Sequence, residues 1–259
     1  MSDSAGAISP QPVEISTPPP VEEPLHSQRF KFVDVALIVV VFFVLTKFAV
    51  LGFTTALYQM VGRLGLDIPK YPLPFLFMVI VQEGLMLALI VLVAQARGAT
   101  RADLGLRPIR LRWLLAGLIA MIILIPIRFG CVLLMHSAVD DNQDDTAQVA
   151  SEDTFPVFGQ PVIAGLPSMF MMGFVTPLVE ELIFRALLFG WLRRRMPIAP
   201  AAIFSSAVFA AGHATIPIGV AALILGVVCA VLYEKSRTLW VPIIVHVFNN
   251  VAVMAIVFL

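Results

Sequence analysis

The amino-acid sequence predicts an all-α fold, a polytopic transmembrane helix bundle of about seven to eight spans. Of its 259 residues, 59% are hydrophobic and only 13% are charged, and the mean hydropathy is +0.95. A soluble domain is about half apolar and about a quarter charged. A single interior core could not shelter so many apolar side chains, so the lipid bilayer is expected to surround most of the chain. No segment alternates as the strands of a membrane β-barrel do.

Seven apolar segments each approach the roughly 20 residues that a spanning helix requires. The predicted spans are 35–60, 73–95, 113–136, 165–191, 198–215, 217–233 and 239–258. Residues 1–30 differ from them, because they are rich in proline and contain no apolar run long enough to pack. We expect a disordered tail there. The predicted organisation is therefore a tail (1–30), N-terminal spans and loops (31–158), and a C-terminal core that carries the candidate site (159–259).

Basic residues cluster after the second, fourth and sixth predicted spans, whereas the loop after the third span is acidic. With seven spans, all three basic clusters fall on the same side of the membrane as Arg29 and Lys31. Cytoplasmic loops carry such an excess of basic residues, so the sequence predicts a cytoplasmic N-terminus, with the plasma membrane as the expected location. The net charge is zero, and we expect no nucleic-acid partner.

Four polar side chains within the late apolar spans form the candidate site: Glu180, His213, His246 and Asn250. An ionisable group at the centre of a spanning helix costs about 2.5–3.5 kcal/mol on insertion scales, so each one requires a reason to be there. A carboxylate and an imidazole can activate water as a nucleophile. A second imidazole and an amide can donate hydrogen bonds to the oxyanion that forms when a carbonyl is attacked.

Helix geometry separates the two adjacent carboxylates of the fourth span. Glu181 and Arg185 are four residues apart, share a face and can form a pair, which we interpret as structural. Glu180 points about 100° away around the helix axis and must find its partners on other helices. It is therefore the better candidate for proton chemistry. In the seventh span His246 and Asn250 are likewise four residues apart and share one face.

Two features of the predicted spans affect the site. Counted from the basic clusters, His213 lies about one or two turns further out than Glu180 and Asn250. A helix broken or tilted near residues 214–217, or a shifted boundary, would bring the three to one level. The ionisable residues of the first three spans, Lys47, Glu83 and Arg128, are expected to reach an interface or to pair within the bundle.

Three short motifs occur in a fixed order on three of the late predicted helices. They read Glu180-Glu181-x-x-x-Arg185, Phe209-x-x-x-His213 and His246-x-x-x-Asn250. This series resembles the CPBP family of membrane proteases, which includes the type II CAAX prenyl endopeptidases and the Abi-type glutamic membrane proteases. The resemblance covers roughly residues 160–255, and no position departs from the family pattern.

The resemblance implies cleavage of a peptide bond at or within the membrane, in a peptide or a lipid-modified protein. It assigns water activation to Glu180 and His213, and oxyanion binding to His246 and Asn250. The supporting residues would be Glu181, Arg185 and Phe209. It also implies a metal-free mechanism, so no cofactor is expected. The alternative is a zinc ion held by Glu180, His213 and His246.

Two other functions use the same residues differently. A non-catalytic scaffold or immunity protein of the same fold would keep them as a polar network that locks helices together. A proton-coupled transporter would use them as a relay, but the hydropathy pattern shows no inverted repeat of the kind that such transporters contain. Solvent access distinguishes an enzyme from a lock, because a catalytic Glu180 requires a cavity that water can reach.

Overall fold

The computed structural model describes residues 25–45, 73–139, 162–213 and 215–258, with isolated helical positions between 52 and 63. Every regular element in these ranges is a helix, which confirms the predicted all-α fold. The helices in these ranges are α1 (Phe32–Val44), α2 (Leu73–Ala96), α3 (Leu111–Val139), α4 (162–193), α5 (Ile198–Ala211), α6 (Ile216–Ser236) and α7 (Trp240–Phe258). The predicted spans from the second to the seventh each coincide with one of them. Most of the first span beyond residue 45, and Lys47 with it, lies outside the described residues.

Three of these helices are long and apolar enough to cross a membrane. The qualifying segments are Leu76–Ala96, Leu111–Cys131 and Ile216–Ser236. Large apolar side chains also cover the outward faces of α2 and α3, including Phe77, Leu85, Leu92, Ile119 and Ile122. Water would not favour so extensive an apolar surface, whereas a hydrocarbon layer does. The fold is thus that of an integral membrane protein.

Residues 25–31, which precede α1, pack against one end of the bundle. Phe30 is buried, and His26 Nε2 lies 2.7 Å from Glu234 Oε2 near the end of α6. The structure differs here from the sequence prediction, which placed residues 25–30 in the disordered tail. These residues pack because the helix ends supply both apolar surface and charged partners, which the local composition does not reveal.

Ion pairs at the same end join the basic clusters of the sequence. Just after α2, Arg97 Nη2 lies 2.7 Å from Oδ1 of Asp34 at the start of α1. At the end of α4, Arg193 Nε lies 3.0 Å from Oε1 of Glu234 on α6. The segments that follow the second, fourth and sixth predicted spans therefore meet at one end of the bundle, as the seven-span arrangement requires.

Gly226 allows α4 and α5 to approach α6 closely, beside the candidate site. A Cβ atom at this position would lie 2.7 Å from Ser206 Cβ and 3.1 Å from Arg185 Nη2. We expect Gly226→Ala to lower the free energy of unfolding by about 1–3 kcal/mol, which thermal unfolding in detergent would measure. Gly84→Ala is the matched control, because no atom lies within 4 Å of its added Cβ, and its midpoint should stay equal or rise. Equal losses in both variants would contradict this packing.

Candidate active site

A cavity of about 240 Å³ lies between α3, α4, α6, α7 and the end of α5. Its lining includes all four candidate residues, Glu180, His213, His246 and Asn250. The sequence predicted these side chains on three separate helices, and the structure brings them to one cavity. Further polar groups of the lining are Arg128, Thr176 and Asn249.

Glu180 lies on a short α-helical segment of α4, Thr176–Glu181, between two π-helical segments. The π-helical segments are Met171–Val175 and Leu182–Phe189, and insertions of this kind are frequent at functional sites. The side chain of Glu180 is 12% exposed, whereas that of Glu181 is 0% exposed. The two adjacent carboxylates thus occupy different surroundings, and only Glu180 faces the cavity.

Glu181 links Arg185 to His246. Its Oε2 lies 3.2 Å from Arg185 Nε, and its Oε1 lies 2.9 Å from His246 Nδ1. The predicted pair with Arg185 is present, and Glu181 has a second contact that the sequence analysis did not anticipate. A carboxylate has two oxygens, and the second one orients the imidazole of His246.

His246 presents its other ring nitrogen toward Glu180. Because a carboxylate only accepts hydrogen bonds, His246 Nδ1 carries the proton of its bond to Glu181. In the neutral ring Nε2 is then an acceptor, and it lies 3.7 Å from Glu180 Oε2. This separation is longer than a direct hydrogen bond and allows one water molecule to hydrogen-bond to both His246 Nε2 and Glu180 Oε2. A carboxylate oxygen and an imidazole nitrogen therefore flank one side of the cavity.

Phe209 packs among three polar side chains of the site. The guanidinium of Arg185 lies 4.7 Å from the centre of its ring, and the rings of His213 and His246 lie edge-on at 5.0 and 5.7 Å. Because α5 ends at Ala211, His213 lies beyond the helix, with Nδ1 3.3 Å from the Phe209 carbonyl oxygen. The end of the helix thus brings His213 to the cavity, although counting along a straight helix places it too far out.

Asn250 is held between a neighbouring side chain and the backbone of α4. Its Nδ2 donates to the Met172 carbonyl oxygen at 3.0 Å, and its Oδ1 accepts from Asn249 Nδ2 at 3.0 Å. Arg128 in turn donates to Asn249 Oδ1. Sequence reasoning missed Asn249, although two adjacent amides in an apolar span were a signal, because buried amides require partners.

Glu83 of α2 is buried beside the site, with 2% of its surface exposed. Its Oε1 accepts a hydrogen bond of 2.9 Å from Thr176 Oγ1. Glu83 and Arg128 therefore have different partners within the bundle, since Arg128 donates to Asn249. The hydroxyl of Thr176 reaches only Oε1 of Glu83, and the buried Oε2 has no hydrogen-bond partner among the described residues. Arg128 on α3 turns toward α6 and α7 instead.

The zinc alternative requires three ligands around one point. Among the described residues, no group of three histidine, cysteine, aspartate or glutamate side chains has that arrangement. Glu180, His213 and His246 do line one cavity, and the metal-free mechanism stays a prediction.

Comparison with known proteins covers the part of the chain that forms most of this cavity. Residues 162–252 match the family model of the type II CAAX prenyl endopeptidase Rce1-like proteins. The predicted resemblance is confirmed over this segment. We call residues 162–252 the Rce1-like segment.

A curated relative gives a similar result. The Bacillus subtilis (strain 168) protein named "Putative membrane peptidase YdiL" is 33% identical over 94 residues. That alignment covers 36% of this chain and 38% of the relative, so the chain spans well under half the length of the curated protein it matches. No solved structure matches the chain significantly.

The Rce1-like segment includes α4 to α6 and most of α7, together with the four candidate residues. α1 to α3 lie outside it. Nevertheless, Arg128 on α3 lines the cavity, and Glu83 on α2 contacts Thr176 at its wall. The site thus combines the matched segment with residues that the family comparison does not cover.

Proposed function

We propose that this protein is an integral-membrane endopeptidase that hydrolyses a peptide bond at or within the bilayer. One observation carries the proposal. Glu180 faces a cavity beside His246 Nε2, while the fully buried Glu181 accepts a hydrogen bond from Nδ1 on the other side of the same ring. A polar lock between helices would not require a carboxylate at a cavity of about 240 Å³. The Rce1-like segment supports the same class of function.

In this mechanism Glu180 is the general base. It takes a proton from a water held near His246 Nε2 as the water oxygen attacks the peptide carbonyl carbon. His213, on the same cavity wall, assists in holding that water. Glu180 then passes the proton to the amide nitrogen, and the C–N bond breaks. The new carboxylic acid gives its remaining proton to the amine, so that a carboxylate and an ammonium group leave the site.

The tetrahedral intermediate places negative charge on the former carbonyl oxygen, and the site supplies hydrogen-bond donors for it. Asn250 Nδ2 carries two N–H groups, of which the Met172 carbonyl takes one. His246 would add a second donor at Nε2 if its ring takes up a proton from solvent before the reaction, and the carboxylate of Glu181, which accepts from Nδ1, would stabilise that positive ring. Donors fixed in advance around developing charge supply a large share of catalysis in acyl transfer.

The substrate class follows from the resemblance and from the site's place in the membrane. We propose a peptide or a lipid-modified protein, cleaved near a lipidated C-terminus or at a short leader segment. The end of the bundle that carries the basic clusters is assigned to the cytoplasm, and the chain to the plasma membrane.

Mapping of protein N-termini in membranes tests the proposed function. Membranes from cells that make the wild-type chain are compared with membranes that contain Glu180→Gln/His246→Gln, in which both polar groups at the cavity edge are neutral amides. We expect a set of new N-termini that only the wild-type chain produces. Identical N-termini in the two samples at equal protein levels would rule out the peptidase.

A further inference from the structure

Arg128 reaches the cavity from α3, outside the Rce1-like segment. Its Nε donates to the Ala221 carbonyl oxygen on α6 at 2.7 Å, and its Nη1 donates to Asn249 Oδ1 on α7. Asn249 is buried, with 3% of its surface exposed. The guanidinium is thus anchored to two helices of the segment that carries the candidate residues.

The chemistry of arginine fixes the direction of the hydrogen bonds that run from Arg128 through Asn249 and Asn250 to Met172. A guanidinium has only donors, so Asn249 must turn its oxygen toward Arg128 and its nitrogen away. Asn249 Nδ2 then donates to Asn250 Oδ1 at 3.0 Å. Asn250 must consequently present its own nitrogen on the opposite side, where it donates to Met172.

The backbone of α4 imposes the same direction from the other end. In its π-helical segment the Thr176 N–H donates to the Met171 carbonyl, five residues earlier. The next bond in that series would run from residue 177 to Met172, but Pro177 has no N–H. The Met172 carbonyl therefore lacks this helical donor and accepts from Asn250 Nδ2 at 3.0 Å. The Met172 carbonyl, which only accepts, lies at one end of this series of hydrogen bonds, and the guanidinium of Arg128, which only donates, lies at the other. Together they select one orientation of the Asn249 and Asn250 amides.

We propose that Arg128 and Asn249 are positioning residues that lock the Asn250 carboxamide with its nitrogen available to the oxyanion of the proposed peptidase reaction. The inference rests on the proposed function and deepens it. An overturned amide would direct its oxygen toward the developing negative charge and oppose the reaction. A cation at the start of the series also strengthens the hydrogen bonds after it.

Asn249→Asp separates positioning from packing. Aspartate has nearly the same shape and accepts from Arg128, but as a carboxylate it cannot donate to Asn250 Oδ1. We expect kcat to fall about 10- to 100-fold with little change in KM, while the thermal midpoint holds or rises because of the new ion pair. Pro177→Ala should weaken the positioning of Asn250 without adding a charge, because it supplies an N–H that competes with Asn250 Nδ2 for the Met172 carbonyl. It should lower kcat without lowering the thermal midpoint.

Arginine variants provide the rescue and the control. Arg128→Met removes the donor at the start of the series and should lower kcat as Asn249→Asp does. Arg128→Lys retains a charged donor and should recover a large part of that loss. Arg101→Met, at an exposed position before α3, removes the same charge elsewhere and should leave kcat unchanged.

The probe is an internally quenched peptide that spans a cleavage site mapped with the wild-type chain, presented to protein in phosphatidylcholine–phosphatidylglycerol vesicles. Lower kcat in Asn249→Asp, Pro177→Ala and Arg128→Met, with recovery in Arg128→Lys, supports the inference. Wild-type kcat in these variants, or a loss that only follows thermal stability, would overturn it while Glu180→Gln remains inactive and the peptidase stands. If the wild-type chain yields no cleavage site that depends on Glu180, the proposed function fails, and this inference fails with it.

Discussion

Replacement of Glu180 by glutamine is expected to lower the cleavage rate by about a thousandfold or more and to leave the fold intact. Glutamine has nearly the same size but cannot take a proton from water, and a positioned general base contributes about 10²–10⁴-fold to such reactions. The side chain is 12% exposed at the cavity, so the substitution breaks no sealed ion pair. Cleavage of the mapped peptide in vesicles and thermal unfolding in detergent measure the two effects.

Two further variants make the Glu180 result specific. Glu180→Asp keeps the carboxylate but withdraws it by one methylene, and an intermediate rate is expected. Glu234→Gln makes the same change at a carboxylate near the end of α6, outside the cavity lining, and its remaining carbonyl oxygen can still accept from Arg193. This control should retain most of the wild-type rate. A Glu180→Gln rate within tenfold of the wild type would exclude Glu180 as the base.

Replacement of Glu181 by leucine is expected to cost about 3–5 kcal/mol of folding free energy, because it leaves a buried charge without its partner. The side chain of Arg185 is 1% exposed and would keep its positive charge in an apolar interior. His246 would also lose the acceptor of its Nδ1 proton. Denaturant or thermal unfolding should show a large loss of stability together with a loss of activity.

A double variant separates these two consequences. Glu181→Leu/Arg185→Met removes both charges, and replacement of a buried ion pair by apolar side chains is often neutral or stabilising. We therefore expect most of the stability to return. Activity should stay low, since nothing then orients His246. If the double variant regains wild-type activity, the orienting role of Glu181 is wrong.

The helices were predictable from the sequence, because length and hydropathy alone decide whether a segment can span a bilayer. The separate surroundings of Glu180 and Glu181 were predictable as well, because neighbouring residues of a helix point about 100° apart. Intrahelical spacing likewise identified the pair of Glu181 and Arg185. Each of these features depends on a single segment of chain.

The contacts between helices were not predictable in the same way. The bonds from His246 to Glu181, from Arg128 to Asn249 and from Thr176 to Glu83 depend on how each helix is rotated and on its depth in the bundle. The spacing of residues along one helix determines neither its rotation nor its depth in the bundle. The π-helical segments around Glu180 also change the register of α4, and Pro177 between them is one sign of this in the sequence.

The central claim is that a water activated by Glu180 attacks the peptide carbonyl. A single turnover in H₂¹⁸O, followed by mass spectrometry of the product and of the enzyme, tests it most directly. Direct attack by water places one ¹⁸O in the new C-terminal carboxylate of the product and none in Glu180. A label in Glu180, or an acyl adduct trapped on its carboxylate, would contradict the claim, because the carboxylate itself would then be the nucleophile.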